Sequence, residues 1–77
     1  MKARNLKSGD CFIWYGIEVC AVDDYVCNAD NVLFIALPEV YENDYSFSHA
    51  NSGYENIMPD EELEFTRRIE CRCQNVD

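Results

Sequence analysis

The fold of this 77-residue chain is decided by residues 6–22, LKSGDCFIWYGIEVCAV. A polar turn is followed by a run rich in aromatic and β-branched residues, in which Phe12 and Trp14 share one face of a strand. Gly16 interrupts this run, and apolar residues alternate again over residues 17–22. The stretch therefore predicts two strands joined by a tight hairpin around Tyr15-Gly16.

Residues 32–37, VLFIAL, are apolar on both faces of a strand and predict the most buried segment, which ends at Pro38. Residues 39–56 are rich in Tyr, Asn, Ser, Asp and Glu, a composition too polar for a core and too aromatic for a plain linker. We expect a loop here, with one edge strand around residues 45–48.

Residues 59–73 fit two interpretations. A strand places Leu63, Phe65 and Ile69 on one face, together with Cys71 and Cys73. A helix is favoured by Pro59 at its start and acids in its first turn. The strand is preferred because its alternation is longer, and a short helical turn at residues 59–62 reconciles the two. The chain is predicted to be one mostly β domain, residues 1–77, built as a small antiparallel barrel of four to five strands.

The pattern Leu6-x-x-Gly9-Asp10-x-Phe12-x-x-Tyr15-Gly16 resembles the opening of SH3-like small barrels, such as the KOW-type domains of translation factors. The resemblance implies a five-stranded barrel with partner contacts on its loops and rim. The chain lacks the basic residues that nucleic-acid-binding members use, so the resemblance concerns the fold. In size, acidity and lack of a catalytic motif, the chain is also similar to small inhibitors and accessory proteins encoded by bacteriophages.

The charge is distributed unevenly. The net charge is −9, and no Lys or Arg occurs between Ser8 and Thr66, where 13 of the 15 acids lie. Nucleic acids and anionic membranes bind proteins through Lys and Arg. We therefore expect no direct contact with either. If the two ends of the chain meet in a barrel, Arg4 and Lys7 should lie near Arg68 and Arg72 in a basic seam.

The chain has five cysteines, Cys11, Cys20, Cys27, Cys71 and Cys73. Their odd number, and the absence of an apolar signal segment near Met1, predict free thiols in a cytoplasmic protein, in the host cytoplasm if a phage encodes it. A structural zinc at Cys71-x-Cys73 with a third cysteine is the competing interpretation, and small buried hydrophobic thiols are the preferred one.

No nucleophile elbow, metal-binding helix or phosphate loop is visible, and the single histidine, His49, lies in a polar segment. We predict that the protein is not an enzyme, has no catalytic residues and binds no cofactor or metal.

Two groups of residues are candidate partner-binding sites. The first is the acidic run Asp60, Glu61, Glu62 and Glu64, whose carboxylates stand about 6.7 Å apart at alternate positions of a strand, roughly twice the axial step of phosphates in one DNA strand. A solvated face that only keeps the protein soluble is the alternative. The second group lies in the Tyr-rich segment: Tyr41, Glu42, Asp44, Tyr45 and Tyr54. Rigid aromatics among small polar residues are typical of binding loops, although some of these rings could instead cap the core.

These features favour a non-enzymatic protein-binding module. Its specific forms would be an inhibitor or a nucleic-acid mimic that captures a basic partner protein through the acidic face and the Tyr-rich loop. The alternative is a structural or assembly component that acts through self-association.

Overall fold

The computed structural model describes residues 1–27, 29–43 and 53–69, with the backbone alone for residues 42 and 43. Within these ranges the chain forms five strands and two short helices. In order they are a 3-10 helix at Ala3–Asn5, β1 at Asp10–Trp14, β2 at Ile17–Ala21, β3 at Val32–Ala36, α1 at Pro38–Asn43, β4 at Gly53–Asn56 and β5 at Glu64–Arg68.

The five strands form one antiparallel sheet in the order β4-β3-β2-β1-β5. The prediction of a mostly β fold with four to five antiparallel strands is therefore confirmed. The first and last strands of the described chain are neighbours, as expected for the two ends of the domain. The sheet is open, and β4 and β5 are its two edges.

The predicted hairpin is present. Trp14 pairs with Ile17, so only Tyr15 and Gly16 connect β1 to β2. Both connecting residues have positive φ angles, 52° and 80°, which is the requirement of a type I′ turn. The twist of this turn matches that of the two strands, and the hairpin consequently needs no longer loop.

Each face of the sheet carries a hydrophobic cluster, because successive side chains of a strand point to opposite sides. The larger cluster defines the inner face: Ala3, Leu6, Phe12, Val19, Ala21, Tyr25, Leu33, Ile57 and Leu63. The smaller cluster lies on the outer face: Cys11, Cys20, Ala36, Tyr41 and Ile69. The sheet thus separates two packed layers, of which the inner one holds most of the core.

The sheet curls around its inner face. The indole Nε1 of Trp14 in β1 donates a hydrogen bond to Oε1 of Glu55 in β4 at 3.0 Å. These strands are three positions apart in the sheet, a separation of about 14 Å if the sheet were flat. The contact therefore requires strong curvature, which brings the two side chains together over the core.

Helix α1 was not predicted. Pro38 ends the preceding strand as expected, but residues 38–43 then form a helix in place of the expected loop. Proline suits the first helical position, because it lacks an N–H group that would find no helical partner there. Six residues are too few to show a helical period, so the polar composition of the segment led to the prediction of a loop.

The fourth strand was also placed wrongly. The expected edge strand, residues 45–48, lies outside the described residues, and β4 falls on Gly53–Asn56, where a loop was expected. Only one side chain of β4 is even half-buried. Its position is set by backbone pairing with β3, from Ile35 opposite Gly53 to Val32 opposite Asn56. A strand that is held by backbone hydrogen bonds alone does not need alternating apolar residues, so its sequence gives no sign of it.

The ambiguous segment is a strand over Glu64–Arg68, as preferred, and it contains an irregularity. The register with β1 shifts between Cys11 and Phe12, so the chain of β5 has one extra residue there. Leu63 consequently packs in the inner cluster and Ile69 in the outer one. Their expected placement on one face is wrong, because the bulge reverses the alternation. Ahead of β5, residues 59–62 do not form the expected helical turn; the chain makes one hydrogen-bonded turn there, in which the Glu61 N–H donates to the Met58 carbonyl.

The cysteine prediction is wrong at two positions. Cys11 and Cys20 lie directly opposite each other in the hairpin and are joined by a disulfide. Residues facing each other across antiparallel strands approach to about 4.5 Å at alternate positions. The sequence argument considered only the number of cysteines and the compartment, and it missed this pairing. Cys27 is exposed and free, and Cys71 and Cys73 lie outside the described residues.

The disulfide gives a direct test. Alkylation of the folded protein without reductant should label Cys27 and leave Cys11 and Cys20 unlabelled, as read by peptide mass spectrometry. Replacing both paired cysteines by Ala should lower the free energy of unfolding by about 2–3 kcal/mol, the value for a cross-link that closes a short loop. Labelling of Cys11 and Cys20 before reduction would contradict the pairing.

Gly9 lies where three parts of the chain meet. Its N–H donates to the carbonyl of Ala21, and its carbonyl accepts from the N–H of Ile69, each at 2.8 Å. Its φ angle is 92°, and a Cβ atom at this position would stand 1.9 Å from the Ile69 carbonyl oxygen. Only glycine fits, because both the backbone conformation and the space exclude a side chain.

Gly9→Ala should therefore destabilise the protein strongly, by at least about 2 kcal/mol, because it adds a backbone clash to an unfavourable φ. Gly16→Ala is the matched control, since its φ is also positive but no atom lies within 4 Å of the added carbon. The control should cost about 1–2 kcal/mol, the conformational part alone. Urea denaturation measures both, and equal losses would show that the close approach to Ile69 is unimportant.

Candidate functional site

The expected basic seam is described only in part, and two of its residues, Arg4 and Arg68, form ion pairs with acids. In the described structure Arg4, Arg67 and Arg68 each contact a carboxylate of the same chain, and Lys2 lies 3.9 Å from Asp60. Arg72 lies outside the described residues. Four of the six basic residues at the two ends of the chain are therefore used for internal ion pairs.

The most buried of these pairs joins Asp10 to Arg68. Asp10 is completely buried, whereas Arg68 reaches it from solvent. The guanidinium donates from Nε to Oδ1 at 2.5 Å, and the Lys7 backbone N–H donates to Oδ2 at 2.9 Å. The hydrogen bond to the Asp10 carboxylate raises the pKa of Arg68 above its ordinary value. This network connects the opening turn to the last described strand.

A second network lies on the outer face at the bulge of β5. Glu18 accepts a hydrogen bond from the Thr66 hydroxyl at 2.7 Å and from Arg67 Nε at 3.3 Å. The Thr66 hydrogen bond, followed by that of Arg67, lowers the pKa of Glu18. The extra residue of the bulge presents two consecutive side chains to one carboxylate, which a regular strand cannot do.

The first residues of the chain neutralise part of the acidic run. The amino group of Met1 lies 2.6 Å from Glu62 Oε2, and Arg4 forms an ion pair with Asp60. The hydrogen bond from the amino group lowers the pKa of Glu62. Glu61 and Glu64 are exposed, and within residues 1–27, 29–43 and 53–69 neither forms an ion pair. The run is thus divided into two paired and two unpaired acids.

The Tyr-rich segment does not join the acidic run as one site. Tyr54 is 61% exposed on β4, at the opposite edge of the sheet from β5, and its ring packs against Phe34. Glu42 lies in α1, where its side chain is not described, and Asp44 and Tyr45 are outside the described residues. The ring of Tyr54 is therefore exposed, but it lies at the other edge of the sheet from the acidic run.

Tyr41 belongs to the core. Its side chain is 2% exposed, packs over the Cys11–Cys20 pair, and its hydroxyl lies 2.7 Å from Ser8 Oγ. This is the core-capping alternative considered for the loop aromatics. The ring supports the outer cluster and cannot contact a partner in this conformation.

Sequence reasoning missed one exposed site, at the tip of the β1–β2 hairpin. Tyr15 is 84% exposed and Ile17 57% exposed, although Tyr15 was expected only as part of the turn and Ile17 only as a strand residue. The signal was present in the turn itself. In a two-residue connection, the residue before Gly16 cannot point into the core, so a tyrosine there must face solvent.

The described residues contain neither a metal-binding cluster nor a membrane-spanning helix. Among them, no three His, Cys, Asp or Glu side chains are grouped so as to hold a metal ion. His49 lies outside the ranges described. None of the helices in the described part of the chain has the length and apolar character needed to cross a bilayer.

Comparison of the chain with protein families, with curated proteins and with solved structures found no match.

The Glu18 network should make stability depend on pH. Because the fold lowers the pKa of Glu18 from 4.5, its carboxylate stabilises the folded state above that value and loses this effect as the pH falls through the lowered one. Glu18→Gln should therefore reduce the free energy of unfolding at neutral pH, and its difference from the parent protein should narrow as the pH falls below 4.5. Urea denaturation at several pH values measures this.

Thr66→Val provides the companion variant, because it removes the hydroxyl whose hydrogen bond lowers the pKa of Glu18 most. It should weaken the same pH dependence while leaving the carboxylate in place. A difference between Glu18→Gln and the parent that stays constant over the whole pH range would contradict the assigned ion pair.

Proposed function

We propose that this protein is a non-enzymatic binding module that captures a basic partner protein through its acidic surface. The proposal is carried by one observation: four of the six basic residues are held in ion pairs within the chain, while the net charge is −9. The cations are thus tied to carboxylates, and the charge left for a partner is negative.

The unpaired acids provide the contact. Glu61 and Glu64 are exposed beside β5 and have no described cation to neutralise them. Excess negative charge on a small particle steers a basic partner toward it and raises the association rate. An inhibitor, or a mimic of a nucleic-acid backbone, is the specific form that this chemistry favours. Glu62 contributes less, because the amino group of Met1 already pairs with it.

Self-association is the second candidate, and the open edges of the sheet favour it. All five residues of β5 are exposed. However, a bulge and charged side chains are the features by which sheet edges avoid pairing with other chains. β5 has both, with Arg67 and Arg68 at its end. Capture of a different, basic protein is therefore preferred.

The SH3-like barrel remains our proposal for the fold family, supported by five antiparallel strands in a sheet that curls around one core. For the compartment, the Cys11–Cys20 disulfide weighs against the cytoplasm, because disulfides persist mainly in oxidising surroundings. The alkylation experiment on freshly isolated protein therefore also tests where the protein acts.

The acidic surface is tested with a fluorescent deca-arginine peptide as the probe. Glu61→Gln with Glu64→Gln should slow association by about tenfold at low salt, because steering depends on local charge. The matched control is Asp23→Asn with Asp24→Asn, which removes the same charge elsewhere and keeps one acceptor oxygen at each position, including that for the Ser8 N–H. Stopped-flow anisotropy gives the rates, and equal slowing by both pairs would show that only net charge matters.

A further inference from the structure

Tyr15 occupies a position that its residue type disfavours. It is the first residue of the two-residue turn and has a φ angle of 52°. Asn, Asp and Gly are preferred at this position, and a bulky side chain in the left-handed region is uncommon. A hairpin with tyrosine at this position is therefore less stable than one with a residue that the turn favours.

The fold gains little from this ring in return. Tyr15 makes an edge contact with Trp14, with ring centroids 4.9 Å apart, yet 84% of the residue stays exposed. It is the most exposed of the large hydrophobic residues in the described ranges. Strained positions that folding does not explain are concentrated at binding sites.

The neighbours of Tyr15 form a small surface that we call the hairpin-tip patch: Trp14, Tyr15, Ile17 and Glu55. Trp14 is half-buried and stands opposite Ile17 in the hairpin. Its indole N–H donates to the Glu55 carboxylate at 3.0 Å, and its ring contacts that of Tyr15, so the indole links an acid to the exposed tyrosine. The patch thus combines aromatic, aliphatic and anionic groups.

We propose that the hairpin-tip patch is the surface that receives an arginine or lysine side chain of the basic partner. A guanidinium or ammonium group is attracted to the faces of Tyr and Trp rings and pairs with a carboxylate. Ile17 covers the aliphatic stem of such a side chain. This inference rests on the proposed function and names a contact that the acidic run does not include.

Charge complementarity selects this partner. The sequence has no Lys or Arg from Ser8 to Thr66, so the segments that form the patch bring no cation of their own. Arg67, the nearest basic residue of β5 to the hairpin, is held by Glu18 on the outer face. Among the described residues, no Lys or Arg side chain is recorded in contact with the patch, which favours a cation from another molecule.

Two substitutions at Tyr15 separate its role in binding from its role in the turn. Tyr15→Asn removes the ring and introduces a residue that the turn prefers, so the melting temperature should stay unchanged or rise while affinity for deca-arginine falls about tenfold. Tyr15→Phe keeps the ring in the same turn and should bind like the parent. Trp14 is the only tryptophan, so its fluorescence reports binding at the patch directly.

The location of binding is read by amide NMR shifts during the same titration. Shifts at residues 14–17 and at Glu55, with loss of affinity in Tyr15→Asn alone, would support the patch. Binding with shifts confined to residues 60–64, and equal affinity for both Tyr15 variants, would overturn it while preserving the proposed function. No binding of the peptide at physiological salt would overturn both. A lower melting temperature for Tyr15→Asn would mean that the ring serves the fold, and would also overturn the proposal.

Discussion

The close packing of the chain at Gly9 and Asp10 is the constraint on which the rest of the structure depends. At these two residues the opening turn contacts β2 through Ala21, β5 through Arg68, and the residue after β5, Ile69. Backbone atoms fill the space beside Gly9, and the carboxylate of Asp10 is buried next to it. The two strands that flank β1 can therefore approach only if residue 9 has no side chain and residue 10 has a cationic partner. A buried carboxylate without such a partner would be strongly destabilising.

This constraint also explains the distribution of charge. The basic residues at the two ends of the sequence were expected to form a separate basic region. In the folded chain they hold the ends together, because Arg4 pairs with Asp60 and Arg68 with Asp10. Their contribution is structural, and it leaves the middle of the sequence to determine the character of the surface.

The sequence predicted those parts of the fold in which local pattern and tertiary contact agree. The β1–β2 hairpin followed from alternation and from Gly16, and β3 followed from its apolar run. The parts that it missed depend on contacts between distant residues. β4 is held by backbone bonds to β3, α1 by packing of Tyr41 over the paired cysteines, and the register of β5 by a single extra residue. The candidate site was predicted only as a charge pattern, because one sequence does not show which acids meet the amino group or Arg4, or that Tyr15 would be more exposed than Tyr41.

The bulge in β5 has a consequence for how this chain can change. One extra residue lets Leu63 pack in the inner cluster and Ile69 in the outer one. The segment that contains β5 therefore contributes side chains to both hydrophobic clusters. Removing one residue at Thr66 would restore the regular alternation and direct Ile69 toward the inner layer, whereas a substitution there changes one exposed side chain and its hydrogen bond to Glu18. Length is therefore more tightly constrained than composition in this strand. Distant relatives should accordingly be recognised by the spacing of their apolar residues around this position more readily than by residue identity.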